Sequence, residues 1–308
     1  MSKIVSKRHR LRFYGALFLL VMFCFLLGTA ILVIFYKLYQ TEIRRFRDYF
    51  LLALGIGAYS GIFTSIYTYY RCVPIIQIND HEITFNRETY ALDEIEHVEL
   101  TGTGDFANLS FEAATLKFRD GRTRCVFDDM YENSGELKSF LKQVVVEKQS
   151  YTNSEPCLVG SREPKNETFE NYRGNPIFSY EGVYLWMPIG FMLVAWINGS
   201  KGVPTDNRII LLVLMLSWFP ILAWIMNFFK VSSNYFIVRN KYFFWQTKVF
   251  KLSDIQEIVY VPGIRLPDAV RVITKDFKNR RFWAGSLTDK TWLRLKDHLE
   301  SYGITVRD

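Results

Sequence analysis

The chain has 308 residues, 49% of them hydrophobic and 17% aromatic, with a mean hydropathy of +0.03. Its length alone suits a pair of soluble domains, but so much apolar material, gathered in runs, excludes an evenly water-soluble pair. The net charge of +7 averages over segments of opposite sign. The four cysteines, Cys24, Cys72, Cys125 and Cys157, have no C-x-x-C spacing and read as free thiols.

Residues 1–12 form a basic tail carrying Lys3, Lys7, Arg8, Arg10 and Arg12. Residues 13–36 follow as 24 positions without a charge, enough at about 1.5 Å per residue to cross about 30 Å of hydrocarbon. A cleaved signal peptide is the competing interpretation. The apolar core exceeds the usual range of about 7–15 residues, however, and no A-x-A site follows it. A second charge-free run at 49–70 completes a helical hairpin over 13–70. In this second span Ala53, Gly57, Gly61 and Ser65 recur every four residues, a small-residue face that lets helix backbones approach closely. Its partner is expected either within the chain or on a second copy of it.

Residues 71–148 alternate apolar and polar side chains in short runs such as IIQIN, EITFN and RTRCVF, the pattern of half-buried antiparallel strands. Asn79-Asp80 and Asp120-Gly121 supply turns. A closing helix is expected after Asn133 as cap, with Glu136 completing a capping box and Leu137, Phe140, Leu141 and Val144 forming its apolar stripe. Residues 149–179 are polar and rich in turn formers, which predicts an exposed linker. A second hairpin is expected over 180–229. Its spans at 182–197 and 209–229 carry Pro188 and Pro220, tolerated in membranes as kinks, and they bring the expected count to four. The basic residues after Phe229 outnumber those in the loop at 198–207, which orients both termini and both β-rich domains to the cytoplasm.

Residues 230–308 repeat the pattern of 71–148. The phrase YALDEIEHVEL at 90–100 returns as FKLSDIQEIVY at 250–260, an offset of 160 that pairs Leu92 with Leu252, Ile95 with Ile255 and Val98 with Ile258. Extended upstream without gaps, it pairs Ile76 with Phe236, Ile78 with Val238, Ile83 with Phe243 and Phe85 with Trp245, and predicts a strand at 242–246. Downstream the offset becomes 156 and then 155, where a helix capped by Thr288 carries Trp292, Leu295 and Leu299. The chain thus reads as two copies of one module of roughly 150 residues, too long a period for a solenoid.

Short strands, the L-x-x-I-x-x-V/I phrase, a D-G-type turn and a terminal helix together resemble the bacterial pleckstrin-homology-like domains that follow transmembrane hairpins. The resemblance covers about 70–150 and 230–308 and rests on hydrophobic spacings. It implies a membrane protein of α-helical hairpins plus α+β or all-β domains. Each of two repeats would hold two membrane helices and an antiparallel barrel of about seven strands, capped by a C-terminal helix. It implies no enzymatic activity. Headgroup binding does not carry over from the eukaryotic phosphoinositide readers, because no basic β1–β2 loop matches theirs.

Chemistry-bearing motifs are sparse. The acids of LDEI and LSDI read as solvated turns, and His9, His81, His97 and His298 fit no zinc spacing. No phosphate-loop, zincin or nucleophile-elbow pattern occurs, so neither catalytic residues nor a cofactor or metal is expected. No ionisable side chain lies in the core of a span, which disfavours a pump. Residues 71–148 carry 9 Lys and Arg against 15 Asp and Glu, hence −6, whereas residues 231–308 carry 14 against 8, hence +6. Lys275, Lys278, Arg280 and Arg281, near one strand turn, form a candidate basic contact surface. Surface drift, docking between the two domains and contact with anionic lipid all remain open. Nucleic acid is not expected, since acids are interspersed among these bases. The expected function is that of a non-enzymatic protein of the bacterial inner membrane, acting as a scaffold or regulator. Its partners would be the bilayer and either another protein or a second copy of itself. The alternatives are an immunity-type protein against a membrane-directed toxin and a transport component.

Overall fold

The structure, a computed structural model, describes residues 3–40, 46–107, 109–152, 156–198, 205–261 and 268–308. The chain divides into two compact units, Met1–Ser154 and Glu155–Asp308. Both mix apolar helices with antiparallel sheet.

The first unit opens with a short strand, β1 (Ile4–Val5), then a π-helical turn at Arg10–Gly15 that runs into α1 (Ala16–Tyr39), followed by α2 (Phe46–Cys72). Strands β2 (Ile76–Ile78), β3 (Glu82–Phe85) and β4 (Glu88–Ala91) join β1 in one sheet of order β1-β2-β3-β4. Strands β5 (Ile95–Glu99) and β6 (Thr103–Phe106) pair with successive stretches of the long β7 (Leu109–Phe118), and β8 (Thr123–Phe127) also pairs with β7. The period-2 pattern sends Ile76, Ile78, Ile83 and Phe85 of one sheet and Leu116, Phe118 and Val126 of the other into a shared core. Helix α3 (Ser134–Leu141) adds Leu137, Phe140 and Leu141, all fully buried. It also carries Lys138, which forms a completely buried ion pair with Asp128.

The second unit begins with an irregular segment and β9 (Glu170–Tyr172). Helices α4 (Tyr180–Asn198) and α5 (Thr205–Ala223) come next. Strands β10 (Asn227–Val231), β11 (Tyr235–Asn240) and β12 (Thr247–Lys251) complete a sheet of order β12-β11-β10-β9. Strands β13 (Ile255–Val261), β14 (Ala269–Thr274), β15 (Asn279–Trp283) and β16 (Thr305–Arg307) form the other sheet, with α6 (Asp289–Ser301) packed through Trp292, Leu295 and Leu299. In both units the apolar helical pair therefore lies between the first strand and the second, and those two strands are hydrogen-bonded neighbours.

Among the described residues three helices are long and apolar enough to cross a membrane, Arg10–Tyr39, Tyr49–Cys72 and Tyr180–Ile197, and Leu212–Ala223 is a shorter apolar helix. The run expected as a span over 209–229 is cut short because Asn227–Val231 is strand β10, flanked by β9 and β11. Buried Asn240 marks the stop: its amide nitrogen donates to the Ala223 carbonyl at 2.9 Å and the Trp224 carbonyl at 3.0 Å, capping the end of α5.

Three other expectations change. The basic tail is partly structural. Ile4 and Val5 pair with Ile78 and Gln77, and Arg8 donates through Nε and a terminal nitrogen to the Val73 carbonyl at 3.0 and 2.7 Å, just past α2. The linker at 149–179 is not wholly exposed. Besides supplying β9, it is pinned at Cys157 N–H to Asp276 (3.1 Å), at Gly160 to Val249 and at Glu163 to the Lys230 ammonium (2.6 Å). Its polarity, suggestive of solvent, serves pairing. Finally, neither Asn133 nor Thr288 caps with its side chain. The Asn133 side chain is engaged by the N-terminal segment instead, accepting from Lys7 N–H (2.8 Å) and donating to the Val5 carbonyl (3.1 Å).

The gapless pairing upstream of Leu92 also breaks. Ser232 N–H donates to the Tyr235 carbonyl as Asn79 N–H does to Glu82, and Leu252 N–H donates to Asn234 as Leu92 N–H does to His81. Glu82 thus corresponds to Tyr235, an offset of 153, and Ile83 to Phe236. Seven residues separate this offset from the 160 found at Leu92: four lengthen the β11–β12 connection, which has six residues against two, and three lengthen the flanking strands. Phe243 and Trp245 lie in that connection, and no strand forms over 242–246.

Candidate functional site

A cleft of about 840 Å³ lies in the first unit where the two sheets part, beside the end of α2. Phe85 and Phe127 contribute its apolar part. Its polar lining converges from four places: Arg71 and Cys72 at the last turn of α2, Arg87 and Glu88 at the β3–β4 connection, Asp105 on β6, and Arg124 and Cys125 on β8.

Local sequence dictates each position. The β3–β4 hairpin has a two-residue turn, Asn86-Arg87, with Asn86 at φ 55°. Asparagine tolerates this left-handed conformation in tight hairpin turns. The Asn86 side-chain oxygen accepts from Ile75 N–H at 2.8 Å, and Asn86 N–H donates to the Ile75 carbonyl at 2.8 Å. The turn is thereby fastened three residues beyond α2, with Arg87 exposed at the mouth. Arg71 donates to the Tyr67 hydroxyl at 3.4 Å, with its guanidinium 5.8 Å from the Tyr67 ring centroid.

Charge is unevenly answered in this cleft. Arg124 is paired with Glu88, which also accepts from the Tyr90 hydroxyl at 3.2 Å. The hydrogen bond from Arg124, and then its charge, hold the Glu88 carboxyl below the usual carboxylate range. Arg71 and Arg87 have no carboxylate partner among the described residues. The lining therefore carries three guanidinium groups against two carboxylates. Burial pushes the Cys125 thiol up, so it is held as a neutral thiol and not as a nucleophilic thiolate. Among the described residues no three His, Cys, Asp or Glu side chains converge as metal ligands. What the lining offers chemically is fixed-charge and hydrogen-bond recognition of an anion.

The residues singled out from sequence are placed differently. Of the small-residue face, Ala53 and Gly57 are exposed, with open space where a Gly57 side chain would stand, whereas a Cβ on Gly61 would lie 3.6 Å from the Cys24 sulfur and Ser65 is half-buried. The tight crossing of α1 and α2 runs through Gly55 and Gly28 instead. A Cβ on Gly55 would lie 2.7 Å from the Leu32 side chain, and one on Gly28 would lie 3.0 Å from the Tyr59 ring. The four basic residues of the second unit do not share one face. Lys275 and Lys278 are exposed at the β14–β15 turn, and Lys278 is paired with Asp276 at 2.7 Å. Arg280 lies opposite core residue Val272, so it is on the other side of β15 from Arg281, whose guanidinium sits 4.8 Å from the Trp283 ring centroid.

Arg71, Arg87 and Arg124 were not apparent from sequence because they are far apart in a segment whose net charge is −6. The usable signal was Asn86-Arg87 between two alternating runs, a two-residue hairpin that fixes where Arg87 must stand. In the second unit a cleft of about 340 Å³, bordered by Tyr260, Ala269, Trp292 and Leu293, has no cationic side chain among the described residues of its lining. No family model matches the chain, and no curated protein matches it.

Proposed function

We propose that the protein is a non-enzymatic, multi-pass membrane protein built from two pleckstrin-homology-like modules, each interrupted after its first strand by a membrane hairpin. In this reading the first module holds the phosphate-bearing headgroup of an anionic lipid. The observation that carries it is the cleft of Arg71, Arg87 and Arg124 opening beside the end of α2, where a spanning helix meets the headgroup layer. Arginine suits that ligand because its planar donors match phosphate oxygens and its charge is permanent. Two of these arginines are unanswered by carboxylates, which leaves the cleft short of negative charge.

Four spans are part of the proposal. Since β9 and β10 are neighbours in one sheet, the chain leaves and re-enters the second domain on one side of the membrane; if α4 crosses, α5 crosses back. The basic residues after Phe229 favour the cytoplasmic side of a bacterial inner membrane. The headgroup assignment is tested with full-length protein in zwitterionic detergent, titrated with a short-chain phosphatidylglycerol and, separately, with inorganic phosphate. Arg71→Gln/Arg87→Gln is expected to weaken binding of the lipid by about tenfold or more, given that hydrogen bonds to charged groups contribute about 1.5–3 kcal/mol each. Unchanged affinity in the double variant would refute the assignment, and equal binding of phosphate alone would show that the lipid body contributes nothing.

A further inference from the structure

The connection between β11 and β12 departs from its counterpart in the first unit, with six residues against two. In place of the two-residue Asn86-Arg87 turn stand Lys241-Tyr242-Phe243-Phe244-Trp245-Gln246. Phe244 and Trp245 are 66% and 64% exposed, which is costly in water for two large adjacent rings. The geometry points to a membrane anchor: this loop inserts into the interfacial layer of the bilayer beside α4 and α5 and holds the second domain against the surface. The inference rests on the reading of α4 and α5 as membrane spans.

Three observations commit the loop to lipid. First, its base is packed on the apolar helices themselves. The Trp186 indole of α4 donates to the Tyr242 hydroxyl at 3.2 Å, and the Tyr242 ring lies 5.5 Å from Phe219 of α5. Trp186 stands six residues inside the start of α4 and Phe219 four residues before the end of α5. At about 1.5 Å per residue these depths are roughly 9 and 6 Å, comparable with the zone separating a hydrocarbon core of about 30 Å from a full bilayer of about 40–45 Å. Second, the loop is held rigidly. The Asn240 side-chain oxygen accepts from Tyr242 N–H and Phe243 N–H, both at 2.9 Å, while its nitrogen caps α5. Third, the composition is that of an interfacial belt, with tryptophan and other aromatic rings flanked by Lys241 and Lys248. Burial lowers the Lys241 ammonium from its ordinary value, and Arg173 adds to that.

The strand directions supply an internal control. β10 runs away from the end of α5, so the β10–β11 turn at Ser233 lies a strand's length, roughly 16 Å, farther from the helices than the aromatic loop. The experiment uses full-length protein with its four cysteines replaced by serine, reconstituted in phosphatidylcholine vesicles. A single environment-sensitive fluorophore is attached at Phe244→Cys, Ser233→Cys or Phe191→Cys, the last on the exposed face of α4. The Phe244 probe is expected to emit to the blue of the Ser233 probe and to be quenched by lipids carrying a nitroxide near the glycerol end of the acyl chain. The Ser233 probe should emit as in water and be quenched by aqueous iodide. A Phe244 probe quenched by iodide and not by nitroxide lipid overturns the inference, as does a blue-shifted probe quenched by neither, which would place a protein surface over the loop. Probes at both Phe244 and Ser233 behaving as lipid-embedded would also overturn it. If Phe191 itself escapes lipid quenching, the membrane reading of α4 has failed and the inference falls with it; if only Phe244 escapes, the span stands and the anchor alone is wrong.

Discussion

Replacing Asn240 with alanine removes a clamp on which one helix end and one loop both depend. The side chain is 1% exposed and makes five hydrogen bonds, to the Ala223 and Trp224 carbonyls, to the Asn227 side chain, and from the N–H groups of Tyr242 and Phe243. The amide orientation follows from its partners, since backbone carbonyls only accept and backbone N–H groups only donate. At about 1 kcal/mol net per bond, with some relief from water entering the gap, the loss is roughly 3–5 kcal/mol. At about 2–4 °C per kcal/mol for a domain of this size, unfolding should begin roughly 6–20 °C lower. Tryptophan emission during heating in detergent reads this directly, because Trp224 and Trp245 flank the clamp. Asn234→Ala is the comparison: its exposed side chain has a single bond, to Glu167 at 2.9 Å, so it should shift unfolding little. If the two variants unfold alike, Asn240 does not hold the end of α5.

Three further outcomes follow from packing and charge. Gly55→Leu should disrupt the α1–α2 crossing and lower detergent stability, whereas Gly57→Leu should be tolerated within one chain; loss of a crosslinked dimer on Gly57→Leu alone would reveal a second copy on that open face. Lys138→Met takes the ammonium away from the fully buried Asp128 carboxylate and should cost about 3–5 kcal/mol, and adding Asp128→Leu should recover much of it, as denaturant titration would show. Burial alone would raise the Asp276 carboxyl, but hydrogen bonds from Lys278, Thr274 and Cys157 N–H override it and hold it below the ordinary value. A depressed carboxyl stabilises above its unfolded value of about 3.9 and loses that contribution as pH falls through the folded one. Wild type and Asp276→Asn should therefore differ in stability near neutrality and converge in acid.

Periodicity conveyed much of this fold. The alternation in IIQIN and EITFN gave β2 and β3, and the run at 13–36 gave α1. Pairing across sequence was less accessible. Nothing local marks Ile4-Val5 as a strand, because two residues carry no period, and their strand exists only through Ile78 and Gln77. YFFWQ had the composition of a strand yet forms a loop, since the Asn240 side chain accepts from the Tyr242 and Phe243 N–H groups and turns the chain away from the sheet. The IMNFF end of the last apolar run could serve lipid or a barrel core equally well; Phe229 is packed in the core beside Phe236. Of the candidate site, only the Asn86-Arg87 turn was readable, for convergence of Arg71 and Arg124 upon it depends on how two sheets part.

The interruption of each domain after its first strand also governs the order in which the protein can be made. As the ribosome delivers the chain, Ile4-Val5 and Glu170–Tyr172 emerge ahead of the strands they pair with in the structure. Their partners β2 and β10 arrive only after both helices of the hairpin have been synthesised. Where the helical pairs cross a membrane, as proposed, completion of each sheet waits on their insertion. A chain whose hairpin stalls keeps an open strand edge at Ile76–Ile78 or Asn227–Val231, a template for aggregation and a mark that proteases can read. Cutting the domain free after the hairpin recreates the same wound, so a fragment starting at residue 73 or 226 lacks one strand of its sheet from birth.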